Sequence, residues 1–123
     1  MKKAIISRAI GDYVTVEMDA TYAPDFLEEI RNFLKRGGED VADTIRMIKN
    51  FDVFHDFMTR KFKEYLVPKK ELSDLIRGNV IIDKIKLIKD SNRRRVLIMF
   101  DRSVKEYEII KVLSELGFEI QKR

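Results

Sequence analysis

Three consecutive arginines, Arg93, Arg94 and Arg95, follow closely on Lys84, Lys86 and Lys89. Guanidinium and ammonium groups spaced along an extended ribbon can contact successive phosphates, and a two-stranded ribbon is slim enough to enter a major groove. These six residues are therefore the expected nucleic-acid-binding set. The competing reading is structural: lysines interleaved with Ile85 and Leu87 discourage edge-to-edge pairing of strands, and arginines at a turn can be solvated or paired with Asp90. Nothing in the chain matches a helix-turn-helix, a zinc finger or an RNA-recognition aromatic motif. The expected chemistry is phosphate neutralisation with little base reading, on DNA or RNA.

Carboxylates offer a second possibility. Asp101 directly follows the apolar run Val96 to Phe100, where ligand-binding and catalytic acids collect in α/β sheets. With Asp83 on a paired strand, or Glu106 on the following helix, it could hold Mg²⁺ for phosphodiester cleavage. An aspartate ahead of a helix is also ordinary capping chemistry, and that is the reading preferred here. His55 lies between Asp52 and Asp56. In a helix Asp52 shares its face, while Asp56 points roughly 100° away, so no metal site or oriented general base is complete. No metal and no cofactor are expected, and there is no Gly-rich phosphate loop: Gly37-Gly38 follows a helix and lacks the lysine-serine pattern.

Phe51, Phe54, Phe57 and Met58 continue a helical apolar stripe that begins at Val41, Ile45 and Ile48 and runs on to Phe62 and Tyr65. Such a stripe is ordinarily core. Val53 and Met58 widen it beyond what a small sheet would cover, which points to these residues as an interface for a homodimer or an unknown protein partner.

Composition sets the limits. The chain has 123 residues, 45% of them hydrophobic, enough for a single domain over residues 1–123 with its own core. The 37% charged fraction, rich in Lys, Arg and Glu, resembles a thermophile's ion-pair surface. The absence of cysteine excludes disulfides, thiolate metal sites and a cysteine nucleophile, and fits a cytoplasmic protein. No apolar stretch approaches a membrane span, so no membrane partner is expected. The net charge of +4 is uneven: residues 1–68 carry 11 Lys and Arg against 12 Asp and Glu, whereas residues 69–123 carry 14 against 9.

The elements that would position these groups can be read from period and punctuation. Val14, Val16, Met18 and Ala20 alternate with polar residues, giving a hairpin over residues 3–20 turned at Gly11-Asp12. Pro24 opens a helix carrying Phe26, Leu27, Ile30, Phe33 and Leu34, closed by Gly37-Gly38. Asp40 caps a second helix, running to Leu66 or broken near Asn50-Phe51-Asp52, with Pro68 as terminator; a short helix over 70–77 ends at Gly78. Val80 to Lys89 and Arg94 to Phe100 form a second hairpin about a turn at residues 90–93. The five apolar residues 96–100 predict a strand buried on both faces, the centre of the sheet.

Ser103 to Glu106 matches a capping box for a helix with Val104, Tyr107, Ile110, Leu113 and Leu116 inward. Phe118-Glu119-Ile120 then returns beside the central strand as a C-terminal βαβ unit. The order ββ-ααα-ββ-α-β predicts an α+β fold, a mixed β-sheet with helices packed mainly on one face. The function expected is a small basic, non-enzymatic nucleic-acid-associated protein. The alternatives are an assembly module using the helix over 41–66 and an Mg-dependent nuclease centred on Asp101.

Overall fold

Alternation in Val14-Thr15-Val16-Glu17-Met18 makes this segment a strand with one apolar face, and it occupies the centre of the sheet. The computed structural model describes residues 2–123. In chain order the elements are β1 (Lys3–Arg8), β2 (Val14–Asp19), α1 (Ala23–Leu34), α2 (Glu39–Lys49), α3 (Phe51–Arg60), α4 (Leu72–Arg77), β3 (Ile82–Asp90), β4 (Arg93–Phe100), α5 (Glu106–Glu115) and β5 (Glu119–Lys122). One sheet runs β3-β4-β2-β1-β5. Its pairings are antiparallel apart from β1 with β5. The fold is mixed α+β, and among the described residues no helix is long and apolar enough to cross a membrane.

One face of the sheet carries the core. Ala4 and Ile6, Val14, Val16 and Met18, Ile85 and Leu87, and Val96, Ile98 and Phe100 point to it and are buried against Phe26, Leu27 and Ile30 of α1, Val41 and Ile48 of α2, and Ile109, Val112 and Leu113 of α5. Phe26 sits at the middle, with Phe100 at 6.1 Å and Phe118 at 6.4 Å in edge-to-face contact.

The start of α2 is tied to the start of β3 by Asp40. Its side chain is wholly buried. Asp40 is not the expected N-cap, a position held by Gly38, but lies in the first turn of α2. One carboxylate oxygen accepts the Gly38 N–H at 2.9 Å, and the other accepts the N–H groups of Ile81 at 2.8 Å and Ile82 at 3.0 Å. A Cβ on Gly38 would lie 2.2 Å from an Asp74 carboxylate oxygen, so a larger residue there would require the Asp74 side chain to move.

Several expectations are corrected. The strand over 96–100 is not central: β2 lies between it and β1. Nor is it buried on both faces, because Leu97 is half-exposed on the side without helices. β5 is parallel to β4 but pairs with β1, so the crossover through α5 spans two strands. The first hairpin closes at the Ala9 N–H to Tyr13 carbonyl bond of 2.8 Å, leaving a three-residue loop in which Gly11 and Asp12 both have positive φ. Arg8 pairing with Val14 excludes the two-residue turn.

The helix over 41–66 is two helices, broken at Asn50 and finished by Arg60. Leu66 instead bridges Ile85 along the outer edge of β3. Asp101 takes the Ser103 hydroxyl and N–H, so α5 begins at Glu106, with the Lys105 N–H donating to the Glu108 carboxylate. That delay turns the helix: Ile109, Val112 and Leu113 face in, and Tyr107 is 72% exposed.

Replacing Asp40 by Ala would leave the buried N–H groups of Ile81 and Ile82 and the part-buried N–H of Gly38 without their partner. At roughly 1–3 kcal/mol for each buried unpaired group, partly relieved by relaxation, we expect Asp40→Ala to lower unfolding free energy by about 3–5 kcal/mol. Urea unfolding of the variant and the parent would measure it, and a loss below about 1 kcal/mol would remove Asp40 from this role.

Candidate functional site

The six cations of the β3–β4 hairpin divide by strand alternation. Lys84, Lys86 and Ile88 on β3, with Arg93, Arg95 and Leu97 on β4, occupy the sheet face that no helix covers; Ile85, Leu87 and Lys89, with Arg94, Val96 and Ile98, face the helices. Facing the helix layer means meeting Asp52 at the start of α3. Arg94 grips that carboxylate with two hydrogen bonds, 3.0 Å from Nε and 2.9 Å from the terminal nitrogen, and Lys89 adds a third at 3.3 Å. Arg94 in turn lies 6.0 Å from the centre of the Phe51 ring.

On the open face Arg95 is paired with Glu17 of β2 and, at 3.7 Å, with Asp90. Lys84, Lys86 and Arg93 form no ion pair among the described residues. The Lys84 ammonium sits 4.3 Å from the centre of the Tyr65 ring, held there because Leu66 pairs with Ile85 and brings Tyr65 alongside β3. Three of the six predicted cations thus share an open surface with an aromatic ring. The other three are held by carboxylates of the chain itself.

The hairpin is not a free ribbon. β2 pairs with β4 from Thr15 with Met99 as far as Asp19 with Arg95, and only the segment from Asp90 to Arg94 reaches beyond it. The two strands are therefore not free to enter a major groove as a ribbon, which corrects that part of the expectation. Tyr65 is the one member that the sequence reasoning placed elsewhere, in a helix. Pro68, which disfavours helix at the preceding residue, and the β-prone Tyr65 and Val67 carried the signal for an extended segment.

The carboxylates singled out for metal chemistry are dispersed. Asp101 accepts the Ser103 hydroxyl at 2.6 Å and its N–H at 3.0 Å. Glu106 is bridged by Lys122 at 2.9 Å and Arg8 at 3.5 Å, and the Lys122 hydrogen bond holds its carboxyl below the usual range. Asp83 offers its backbone carbonyl to Lys70 at 2.8 Å. No group of three or more potential ligands forms a metal site among the described residues. His55 stacks on Phe51, with ring centres 5.8 Å apart and planes 9° from parallel, while Asp56 pairs with Arg60 at 3.0 Å.

The interface residues separate as well. Phe51 and Met58 are buried in the chain's own core, Phe54 is half-buried with Arg46 over its ring at 5.0 Å, and Phe57 is 37% exposed. Between α1, the α2–α3 junction and β4 lies an open cleft of about 660 Å³. Its charged lining is balanced, with Asp25 and Asp52 against Lys49 and Arg94, which gives it no bias for an anion. Comparison with protein-family models, curated proteins and solved structures returns no significant match to this chain.

The Arg94 hydrogen bonds, with Lys89 beside them, lower the Asp52 carboxyl from 3.8 to about 2. Because the folded-state value is depressed, the pairing stabilises the fold fully above the unfolded value near 4, and that contribution is lost as pH falls toward 2. An NMR titration of Asp52 should give a midpoint of about 2, and Arg94→Gln should return it toward 3.8. A midpoint that ignores the substitution would show that the pair does not persist in solution.

Proposed function

We propose that the protein binds nucleic acid phosphates, without catalysis, through the open face of the β3–β4 hairpin. The observation that carries this reading is the division of the cations. Lys89, Arg94 and Arg95 are neutralised by Asp52, Glu17 and Asp90, whereas Lys84, Lys86 and Arg93 are left without an acidic partner on one uncovered surface. Two lysines two residues apart on a strand lie about 7 Å from each other, so they can meet neighbouring phosphates of one backbone.

Binding releases condensed counterions and falls steeply with salt. A cytoplasmic site of action fits this reading. Sequence preference is expected to be weak, since Tyr65 beside Lys84 offers one ring for stacking and Asn92 at the exposed turn beside Arg93 offers one amide for base edges.

Fluorescence anisotropy with labelled single- and double-stranded oligonucleotides, over a salt series, tests the proposal. Lys84→Ala/Lys86→Ala/Arg93→Ala should weaken binding at low salt at least tenfold and reduce the slope of log K against log salt by about 2–3. Lys89→Ala/Arg94→Ala should have the smaller effect. Equal binding by both triple and double variants would sink the assignment. Mg²⁺-dependent cutting of the probe that disappears in Asp101→Asn would instead favour the nuclease reading.

A second reading, a protein-interaction module, is favoured by α4. Asp74 turns toward Gly38, while Leu72, Leu75 and Ile76, at i, i+3 and i+4, are 71%, 53% and 75% exposed. The helix directs its polar side inward and its apolar side outward, which a chain with no partner gains nothing from. In this reading Leu75→Asp/Ile76→Asp abolishes capture of a partner and leaves the far-ultraviolet circular dichroism unchanged. Unfolding of that variant would place these side chains in the core.

A further inference from the structure

The two edges of the sheet are treated differently by the chain. The outer edge of β3 is obstructed by the Leu66 bridge to Ile85, by Pro68 beyond it and by a register irregularity between Ile82 and Lys84. Such devices stop a sheet from continuing into another molecule. At the other edge β5 has no further strand beside it among the described residues. The N–H groups of Glu119 and Arg123 donate inward to Lys2 and Ile6 carbonyls, each at 2.8 Å. By strand alternation, the N–H and C=O groups of Ile120 and Lys122 therefore point outward, unpaired within the chain.

We infer that β5 is a self-association edge, at which a second copy of this chain adds its own β5 antiparallel across a two-fold axis. A two-fold perpendicular to the sheet preserves its faces, so pairs must join residues of like parity. Of the registers this allows, the one with Gln121 opposite its own copy pairs Ile120 with Lys122 of the second copy, and Lys122 with Ile120. Both outward residues of each strand are then satisfied by four hydrogen bonds. The register centred on Lys122 forms fewer and opposes two lysines, and the one centred on Ile120 leaves the Lys122 carbonyl unpaired and sets Glu119 against Gln121.

The favoured register also sets Glu119 against Arg123 of the second copy, twice. Neither residue has an ion pair within the chain among the described residues, and both are exposed. Opposite charges directly across a ladder are attractive. The Lys122 ammonium is drawn to Glu106 on the helix side, away from the edge. The charges on β5 thus favour a second β5, and the result is a continuous ten-stranded sheet with two open faces on one side.

The absence of native cysteine makes the test direct. Gln121→Cys places single thiols at a non-hydrogen-bonded pair on the axis, with Cα atoms about 4.5 Å apart, within disulfide reach. In a glutathione redox buffer it should form a covalent dimer at least tenfold faster than Glu29→Cys on the exposed side of α1. Light scattering of the parent chain should give a mass that rises from one copy to two with concentration.

Lys122→Pro removes an outward N–H that the monomer does not use and should hold the chain monomeric. Glu119→Arg should weaken the dimer at least tenfold, and adding Arg123→Glu should restore it. A parent chain monomeric at all concentrations, a dimer indifferent to these changes, or Gln121→Cys linking no faster than the control would each overturn the inference.

Discussion

A buried carboxylate organises the join between the two halves of this chain. Asp40 accepts three backbone N–H groups, one at the head of its own helix and two where β3 begins, about forty residues further along. A charge taken out of water is tolerable only when hydrogen bonds replace its hydration, and the consecutive N–H groups of Ile81 and Ile82 supply two of them. The consequence is positional. With residues 81 and 82 held against α2, β3 enters the sheet in one register, and Lys84, Lys86 and Ile88 are committed to the face away from the helices.

From that register follows the electrostatic character of the molecule. The helices that contribute to the core, α1, α2, α3 and α5, pack on one side of the sheet, so each strand has a face that meets helix side chains and a face that does not. A cation directed inward meets an acid, as Lys89 and Arg94 meet Asp52. One directed outward keeps its charge available unless a neighbouring strand provides a partner, as β2 does for Arg95 through Glu17. The excess of 14 Lys and Arg over 9 Asp and Glu in residues 69–123 is thus less informative than its distribution. The two surfaces left chemically open are the Lys84–Lys86–Arg93 corner and the unpaired edge of β5, at opposite ends of the sheet.

The short segments between elements account for most of what local pattern misjudged. Ser103 looks like a helix cap, but Asp101 takes its hydroxyl and N–H first, and the helix waits for Lys105. Phe62 extends the aromatic spacing of α3, yet it adopts a left-handed backbone and is 96% exposed, because the chain must turn there to bring Leu66 to β3. In both cases a local preference lost to a hydrogen bond made with a neighbouring turn or strand.

Local pattern alone determined the element order, the one-sided core and the hairpin that carries the cations. Each of those depends on spacings of two to four residues, visible in Val14 to Met18 and Phe26 to Ile30, whereas the unbroken apolar run from Val96 to Phe100 misled on burial. The candidate site was legible as a cluster of six cations, and the sequence went no further. Which strand is central, which cations remain unpaired, and the arrival of Tyr65 beside Lys84 were decided by tertiary structure. Those outcomes rest on contacts between residues far apart in the chain, Arg94 with Asp52 and Leu66 with Ile85 among them, and periodicity within one element carries no information about its neighbours.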